Sequence, residues 1–331
     1  MKRILTICTI FIALLLANTT FAIDLDKYPG LKPIITTLVK EHDFTETELL
    51  DVFGKVEYRD DIIEAINRPG EAQPWHKYRL LFVTEQSVNR GIRFWRQNAR
   101  ALVKAQKKYG VPAEIIVAII GVETRYGRLK GRYKVINALT TLALGYPRRG
   151  EFFRKELIEF LLLARETNTD PLKYQGSYAG AMGLPQFMPS SYRKYAVDFN
   201  GDNKRDLINN RWDAIGSVAN FFIKHGWQTN EPICEDVQIE GQLYVWFEKL
   251  GIKPRLSIRH LINAGIFPEN DKRREDRLVS LIALEGENGP VYRLGYNNFY
   301  VITKYNRSRK YAMAVYELSE MLRKKYYNKR P

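Results

Sequence analysis

The chain has 331 residues, 45% of them hydrophobic, and 52 Lys and Arg stand against 37 Asp and Glu for a net charge of +15. That length allows one large domain or two to three smaller ones around a sizeable core. The charge draws the chain toward anionic partners, and only two cysteines, Cys8 and Cys234, exclude a disulfide framework.

Lys2 and Arg3 precede an apolar run from Ile4 to Leu16, and Thr20-Phe21-Ala22 follows as a small-residue cleavage site. This pattern reads as a secretory signal peptide over residues 1–22, too short for a stable anchor. Its removal takes two cations and no acid, leaving +13 and Cys234 alone. Cys8 follows Ile7 and lies too early for a lipoprotein site, so a soluble exported protein is expected. Cell-wall polymer and membrane surface fit that route; nucleic acid fits the charge but not the export signal.

Residues 24–110 read as mostly helical. Thr45-Glu-Thr-Glu48 resembles a capping box ahead of Leu49, Leu50, Val52 and Phe53, and Arg68-Pro-Gly-Glu71 breaks the region. Val88–Tyr109 is expected to form another helix, with Phe94 and Trp95 in the core. Pro112 to Thr124 follows with Pro112 in the first turn and Gly127 as the stop. Ile115 to Val122 leave almost no polar face, so this helix should be buried. Phe152–Glu166 reads as an amphipathic helix, 174–189 as a loop rich in Gly, Ala and Ser, and Asp213–His225 as a helix stopped by Gly226. From about 231 to 300, Val237-Gln-Ile, Leu243-Tyr-Val-Trp and Val291-Tyr-Arg-Leu read as strands, with a short helix at Leu256–Ala264. Tyr311–Tyr326 is the final helix, before a basic tail.

Glu123 stands in the last turn of the buried helix. Burial and the negative end of the helix dipole both disfavour its charge, which suits a general acid. A surface Glu paired with Arg125 is the plainer reading. Asp198-Phe-Asn200-Gly-Asp202-Asn203-Lys204-Arg-Asp206 places oxygen donors at positions 1, 3 and 5 of a calcium-type loop, with the carbonyl of position 7 available. Asn203 replaces the usual Gly, and position 12 is Asn209 rather than Glu, so Asp213 is the candidate to complete the set; an ordinary Asp/Asn/Gly turn is the alternative. Tyr146-Pro-Arg148-Arg149 sets two guanidinium groups in a turn suited to carboxylates, or simply solvated. No HExxH, phosphate loop or dinucleotide fingerprint is present, and His42, His76, His225 and His260 lack ligand spacing, so neither a zinc hydrolase nor an organic cofactor is expected.

Four segments together resemble the membrane-bound lytic murein transglycosylase B family: Gly121-Val-Glu123-Thr-Arg-Tyr-Gly127; Gly176-Ser-Tyr-Ala-Gly-Ala-Met-Gly-Leu-Pro-Gln-Phe-Met-Pro-Ser-Ser191; Asp198 to Asp213; and Asn298-Phe-Tyr-Val-Ile-Thr-Lys-Tyr-Asn-Arg-Ser308. The similarity runs in order from about residue 30 to 320. It implies an α+β, mainly α fold. After the leader, residues 23–230 would hold a lysozyme-like catalytic core (about 76–230) and the calcium loop. Residues 231–300 would form a small mixed α/β subdomain, and 301–331 would return to the catalytic domain. It also implies a periplasmic enzyme that cleaves the β-1,4 bond between N-acetylmuramic acid and N-acetylglucosamine and leaves a 1,6-anhydromuramoyl end.

By motif position the resemblance makes Glu123 the single acid/base. Tyr78, Ser177, Gln186, Phe187, Tyr305, Asn306 and Tyr311 would line the sugar site, and Arg148 and Arg149 would meet substrate carboxylates. A structural Ca2+ would be held by Asp198, Asn200, Asp202, the Lys204 carbonyl and Asp213. The partner would be peptidoglycan, with association at a membrane surface or with other cell-wall enzymes left open. Ordinary glycosidases need two carboxyls; no second one appears near Glu123 in sequence. A hydrolytic muramidase, a non-catalytic peptidoglycan-binding protein and a helical domain with no enzymatic role are the competing readings.

Overall fold

A computed structural model describes residues 28–68, 73–269 and 275–328. The signal peptide read over 1–22, most of the Arg68–Glu71 break, and Lys329 and Arg330 of the basic tail lie outside the described residues.

The organising element is the helix Ala113–Thr124, in which every residue except Glu114 and Glu123 is buried. The reason is compositional: a run of Ile, Val and Ala has no polar stripe to turn to water, so helices must cover it on all sides. Four do so: Glu85–Gln97, Ala99–Tyr109, Arg211–Lys224 and the last helix, Arg309–Tyr327. A second layer is built from Val135–Gly145 and Gly150–Glu166, against which Lys32–His42 and Pro189–Tyr195 pack.

Glu85–Gln97 and Ala99–Tyr109 replace the single helix expected over Val88–Tyr109. The chain bends at Asn98, whose Nδ2 donates to the Phe94 carbonyl at 2.8 Å, a local bond that competes with helix continuation. At Thr45 the hydroxyl accepts the Glu48 amide at 3.2 Å and reaches Glu48 Oε2 at 3.0 Å. The capping pair therefore closes through its side chains.

Residues 234–295 form an antiparallel five-stranded sheet in the spatial order Leu256–Ser257, Leu278–Gly286, Gly289–Gly295, Cys234–Ile239, Ile266–Pro268. One face closes a small core of its own with Ile258, Leu261, Ile266, Val279, Leu281, Leu294 and Tyr296. Ile282 and Leu284 join the main core instead, which ties the sheet to the helices.

Two expectations change here, and one strand appears that was not expected. Leu243-Tyr-Val-Trp is not a strand: Tyr244–Glu248 is helical, because Tyr244 and Phe247, three residues apart, pack together against the sheet core. Leu256–Ala264 begins as a strand pairing with Val279 and Leu278 and is helical only over Ile258–Ile262. The longest strand, Leu278–Gly286, escaped the sequence reading because residues 279–282 are buried in succession, which erases the alternation that marks a half-buried strand. Cys234 is a buried free thiol.

Candidate active site

The buried helix runs to Thr124, the end expected from the sequence. Arg125, Tyr126 and Gly127 follow with φ of 49°, 62° and 87°, so three successive left-handed residues turn the chain sharply away. Two contacts hold that turn. Thr124 Oγ1 lies 3.1 Å from the carbonyls of both Ile120 and Leu184 and accepts the Gly127 amide at 3.0 Å. Tyr126 folds back under its own helix, where a Cβ on Gly121 would come within 2.6 Å of its ring; only glycine leaves room. Glu123 is thus fixed at the mouth of a rigid corner.

Glu123 as a whole is half-buried, but its carboxyl end is walled by protein. Tyr311 Oη donates to Glu123 Oε1 at 2.5 Å. Tyr311 is placed by the start of the last helix, where Ser308 caps by accepting the Tyr311 amide at 3.2 Å. Tyr305, from the preceding helix Asn297–Tyr305, lies nearly parallel to Tyr311 at 6.4 Å and donates to the Pro185 carbonyl at 2.5 Å. Burial pushes the Glu123 carboxyl up to about 7, while the Tyr311 hydrogen bond pulls it back. Burial also raises both phenols, and the nearby Glu123 charge adds to this. Tyr78 is close enough to Tyr311 to contribute as well. The Glu123 charge bears on both phenols, and among the described residues no other carboxyl hydrogen-bonds to Glu123.

The central loop meets the site through its backbone. Met182 and Phe187 exchange amide bonds at 2.9 and 3.1 Å, which presents Pro185 to Tyr305. Gln186 takes φ of 49°, and its Nε2 donates to the carbonyls of Lys130 and Gly183 at 3.2 and 2.9 Å. Ser177 Oγ accepts the amides of Ala179 and Ala181 at 3.2 and 3.0 Å, so the hydroxyl shapes the turn. Phe187 is buried in the core, 5.8 Å from the Tyr305 ring and 5.7 Å from Phe221, and packs against the site tyrosine. Asn306 is exposed at the end of its helix.

Arg148 and Arg149 sit in the exposed turn Pro147–Arg149, with the Arg149 guanidinium 4.2 Å from the Phe152 ring. No contact among the described residues joins either to Glu123. The sequence reading also missed Glu156, a buried acid on the apolar face of Gly150–Glu166 that accepts the Ser190 amide at 2.9 Å and hydroxyl at 2.6 Å. An acid between Phe153 and Leu157 was the available signal. It anchors the helix that follows the central loop.

The acidic loop gathers as its spacing suggested. Carboxylate oxygens of Asp198, Asp202 and Asp213 lie within 4.8 Å of one another. Asp213 is fully buried; its Oδ1 accepts the Phe199 amide at 2.8 Å and its Oδ2 the Asp206 amide at 2.9 Å. Asp198 accepts the amides of Gly201 and Asn203, and Asn203 takes φ of 65°, the left-handed turn a glycine would otherwise supply. Lys204 and Asn200 sit on the same loop, with the Lys204 amide on Asp202 at 2.9 Å and Asn200 Nδ2 on Asp202 at 2.8 Å. Such an all-oxygen set suits a hard divalent cation. The loop touches the active site through Leu184, whose amide donates to the Leu207 carbonyl at 2.9 Å.

The transglycosylase SLT domain family matches residues 28–320. This chain belongs to that family of peptidoglycan lytic transglycosylases. It is 41% identical to the membrane-bound lytic murein transglycosylase B of Escherichia coli (strain K12) over 310 residues, covering 90% of this chain and 83% of that one. The soluble lytic transglycosylase SltB1 of Pseudomonas aeruginosa superposes with a TM-score of 0.84 at 46% identity, covering 88% of this chain and 98% of that one. The Escherichia coli lytic transglycosylase Slt35 in complex with calcium superposes with a TM-score of 0.85 at 40% identity, covering 93% of this chain and 97% of that one. The fold of this transglycosylase is accordingly the lysozyme-like one, mainly α with a small sheet.

Among the described residues, the Tyr311 bond is the interaction that favours ionised Glu123. Tyr311→Phe should therefore move the alkaline limb of the pH–kcat/KM profile upward by about one unit, the equivalent of a charge-assisted hydrogen bond of about 1.5 kcal/mol. A limb that stays near pH 7, or falls, would contradict the assignment of that limb to Glu123.

Proposed function

We propose that Glu123 acts alone as acid and then base in the cleavage of peptidoglycan glycan strands. The observation that carries the reading is a carboxyl walled by protein, raised to about 7 and held by Tyr311 Oη, with no second carboxyl bonded to it among the described residues. The protonated carboxyl donates its proton to the glycosidic oxygen of the departing N-acetylglucosamine, and the C1–O bond of N-acetylmuramic acid breaks. With no protein carboxylate to trap the oxocarbenium-like centre, the substrate's own acetamido oxygen does so. Glu123, now ionised and held by Tyr311, takes the proton from the muramoyl 6-hydroxyl as that oxygen attacks C1. The products are a 1,6-anhydromuramoyl end and a free N-acetylglucosamine hydroxyl, with no water consumed. Attack from within the same sugar is favoured because the nucleophile is already positioned. Arg148 and Arg149 are offered as carboxylate contacts further along the strand, and Asn306 as a polar contact at the exposed rim.

Glu123→Gln keeps the shape and the Tyr311 bond but has no proton to give. It should leave folding intact and lower release of anhydromuropeptides from isolated peptidoglycan at least ~1000-fold by mass spectrometry. Near-normal release would sink the proposal; products one water heavier from the wild type would point to hydrolysis.

The acidic loop is proposed as a structural calcium site: side-chain oxygens of Asp198, Asn200, Asp202 and Asp213 and the Lys204 carbonyl would hold the ion, whose bound charge offsets three gathered carboxylates. No step of the reaction runs through it. Chelation should lower the melting temperature by several degrees, and Asp213→Asn should abolish that calcium dependence. A melting temperature indifferent to calcium would overturn the assignment. The leader and the basic charge support export to the periplasm. No helix among the described residues is long and apolar enough to cross a membrane.

A further inference from the structure

The helix Tyr244–Glu248 turns Tyr244 and Phe247 onto the sheet core and leaves its other side to solvent. On that side Leu243, Trp246 and Leu250 follow one another at three- and four-residue spacing, which puts them on one stripe, while Val245 is exposed about 100° around the helix from Trp246. Their exposures are 53%, 69%, 43% and 40%. Four large apolar side chains within eight residues, on a segment the active site does not use, mark an interaction surface.

The surrounding charge says what covers it. From Glu240 to Arg255 the acids are Glu240, which is exposed, and Glu248, which is engaged with the Tyr292 hydroxyl. The bases are Lys249, Lys253 and Arg255, all exposed. The Lys249 ammonium lies 5.3 Å from the Trp246 ring. Lys253 and Arg255 converge with Lys304 on Tyr300, where the Lys304 hydrogen bond and then the charges of Lys304, Lys253 and Arg255 hold the phenol below its usual range. Lys253 also borders a cavity of about 320 Å³ shared with Asn297, Tyr300 and the paired Arg277 and Glu231. A sugar-stacking platform would pair aromatics with polar donors; here three of the four exposed side chains are aliphatic. Aliphatic side chains and an indole at the tip, with cations at the rim, suit the boundary between lipid tails and anionic headgroups.

We propose that the sheet subdomain docks on an anionic phospholipid surface, inserting Leu243, Trp246 and Leu250 while Lys249, Lys253 and Arg255 meet lipid phosphates. Docking of this kind is peripheral and reversible, since the buried segment is short. It is independent of the chemistry assigned to Glu123.

The test is cosedimentation with vesicles of phosphatidylethanolamine and phosphatidylglycerol, against phosphatidylcholine alone. The protein is purified without residues 1–22, whose own apolar run would bind lipid. The wild type should pellet with the anionic vesicles only, and less so at high salt. The double variant Leu243→Ser, Trp246→Ser should bind about tenfold more weakly or worse. Lys253→Gln and Arg255→Gln should each cost about fivefold. Muropeptide release from isolated peptidoglycan should be unchanged in all of them, which separates this surface from the active site. Wild type that stays in the supernatant, or variants that pellet as well as wild type, would overturn the proposal. So would a wild-type dimer in sedimentation velocity that the double variant dissociates, since the stripe would then belong to a second copy.

Discussion

One carboxyl kept out of water is the constraint on which the rest of the structure depends. Glu123 can hold a proton near neutral pH only if its surroundings make the charge costly, and that cost comes from burial at the end of a helix enclosed by four others. A fully dry carboxyl would be useless as a base in the second half of the reaction. The Tyr311 hydroxyl supplies the counterweight, a single donor aimed at Oε1. The pair sets a pKa between the two tasks proposed for Glu123, where proton donation and proton removal are both accessible.

This arrangement lowers stability. Because the folded pKa of Glu123 lies above its ordinary value near 4.5, the native state binds more protons than the unfolded chain between about 4.5 and 7. Stability from this group is therefore full below about 4.5 and declines as pH rises through 7. The scaffold compensates by making the corner over-determined. Thr124 bridges two carbonyls and an amide, Tyr126 fills the space left by Gly121, and Tyr305 holds the central loop through Pro185. The acidic loop reaches the same corner through Leu207 and Leu184, which gives a cation bound there a route to rigidity at the site without a part in the chemistry.

Much of this was legible in the sequence, for identifiable reasons. The run Ile115 to Val122 has no polar face, so its burial follows from composition. The donors at Asp198, Asn200 and Asp202 alternate as a cation loop requires, and the missing acid at position 12 pointed to Asp213, whose carboxylate gathers within 4.8 Å of those of Asp198 and Asp202. What escaped depended on tertiary packing. Asn98 breaks a helix through a side-chain bond that periodicity does not register. Leu278–Gly286 is buried on both faces and shows no alternation, while Tyr244–Glu248 carries β-type residues but packs with helical spacing. Glu156 was the one acid on an apolar helix face, and only the partner Ser190 explains it.

The most direct test of the account is the titration of Glu123 itself, by infrared difference spectroscopy of the carboxyl stretch in the wild type against Glu123→Gln. A protonated carboxyl band that disappears with a midpoint near pH 7 is the predicted result. A midpoint near 4.5 would contradict it, because a carboxyl already ionised at neutral pH has no proton to give to the departing sugar.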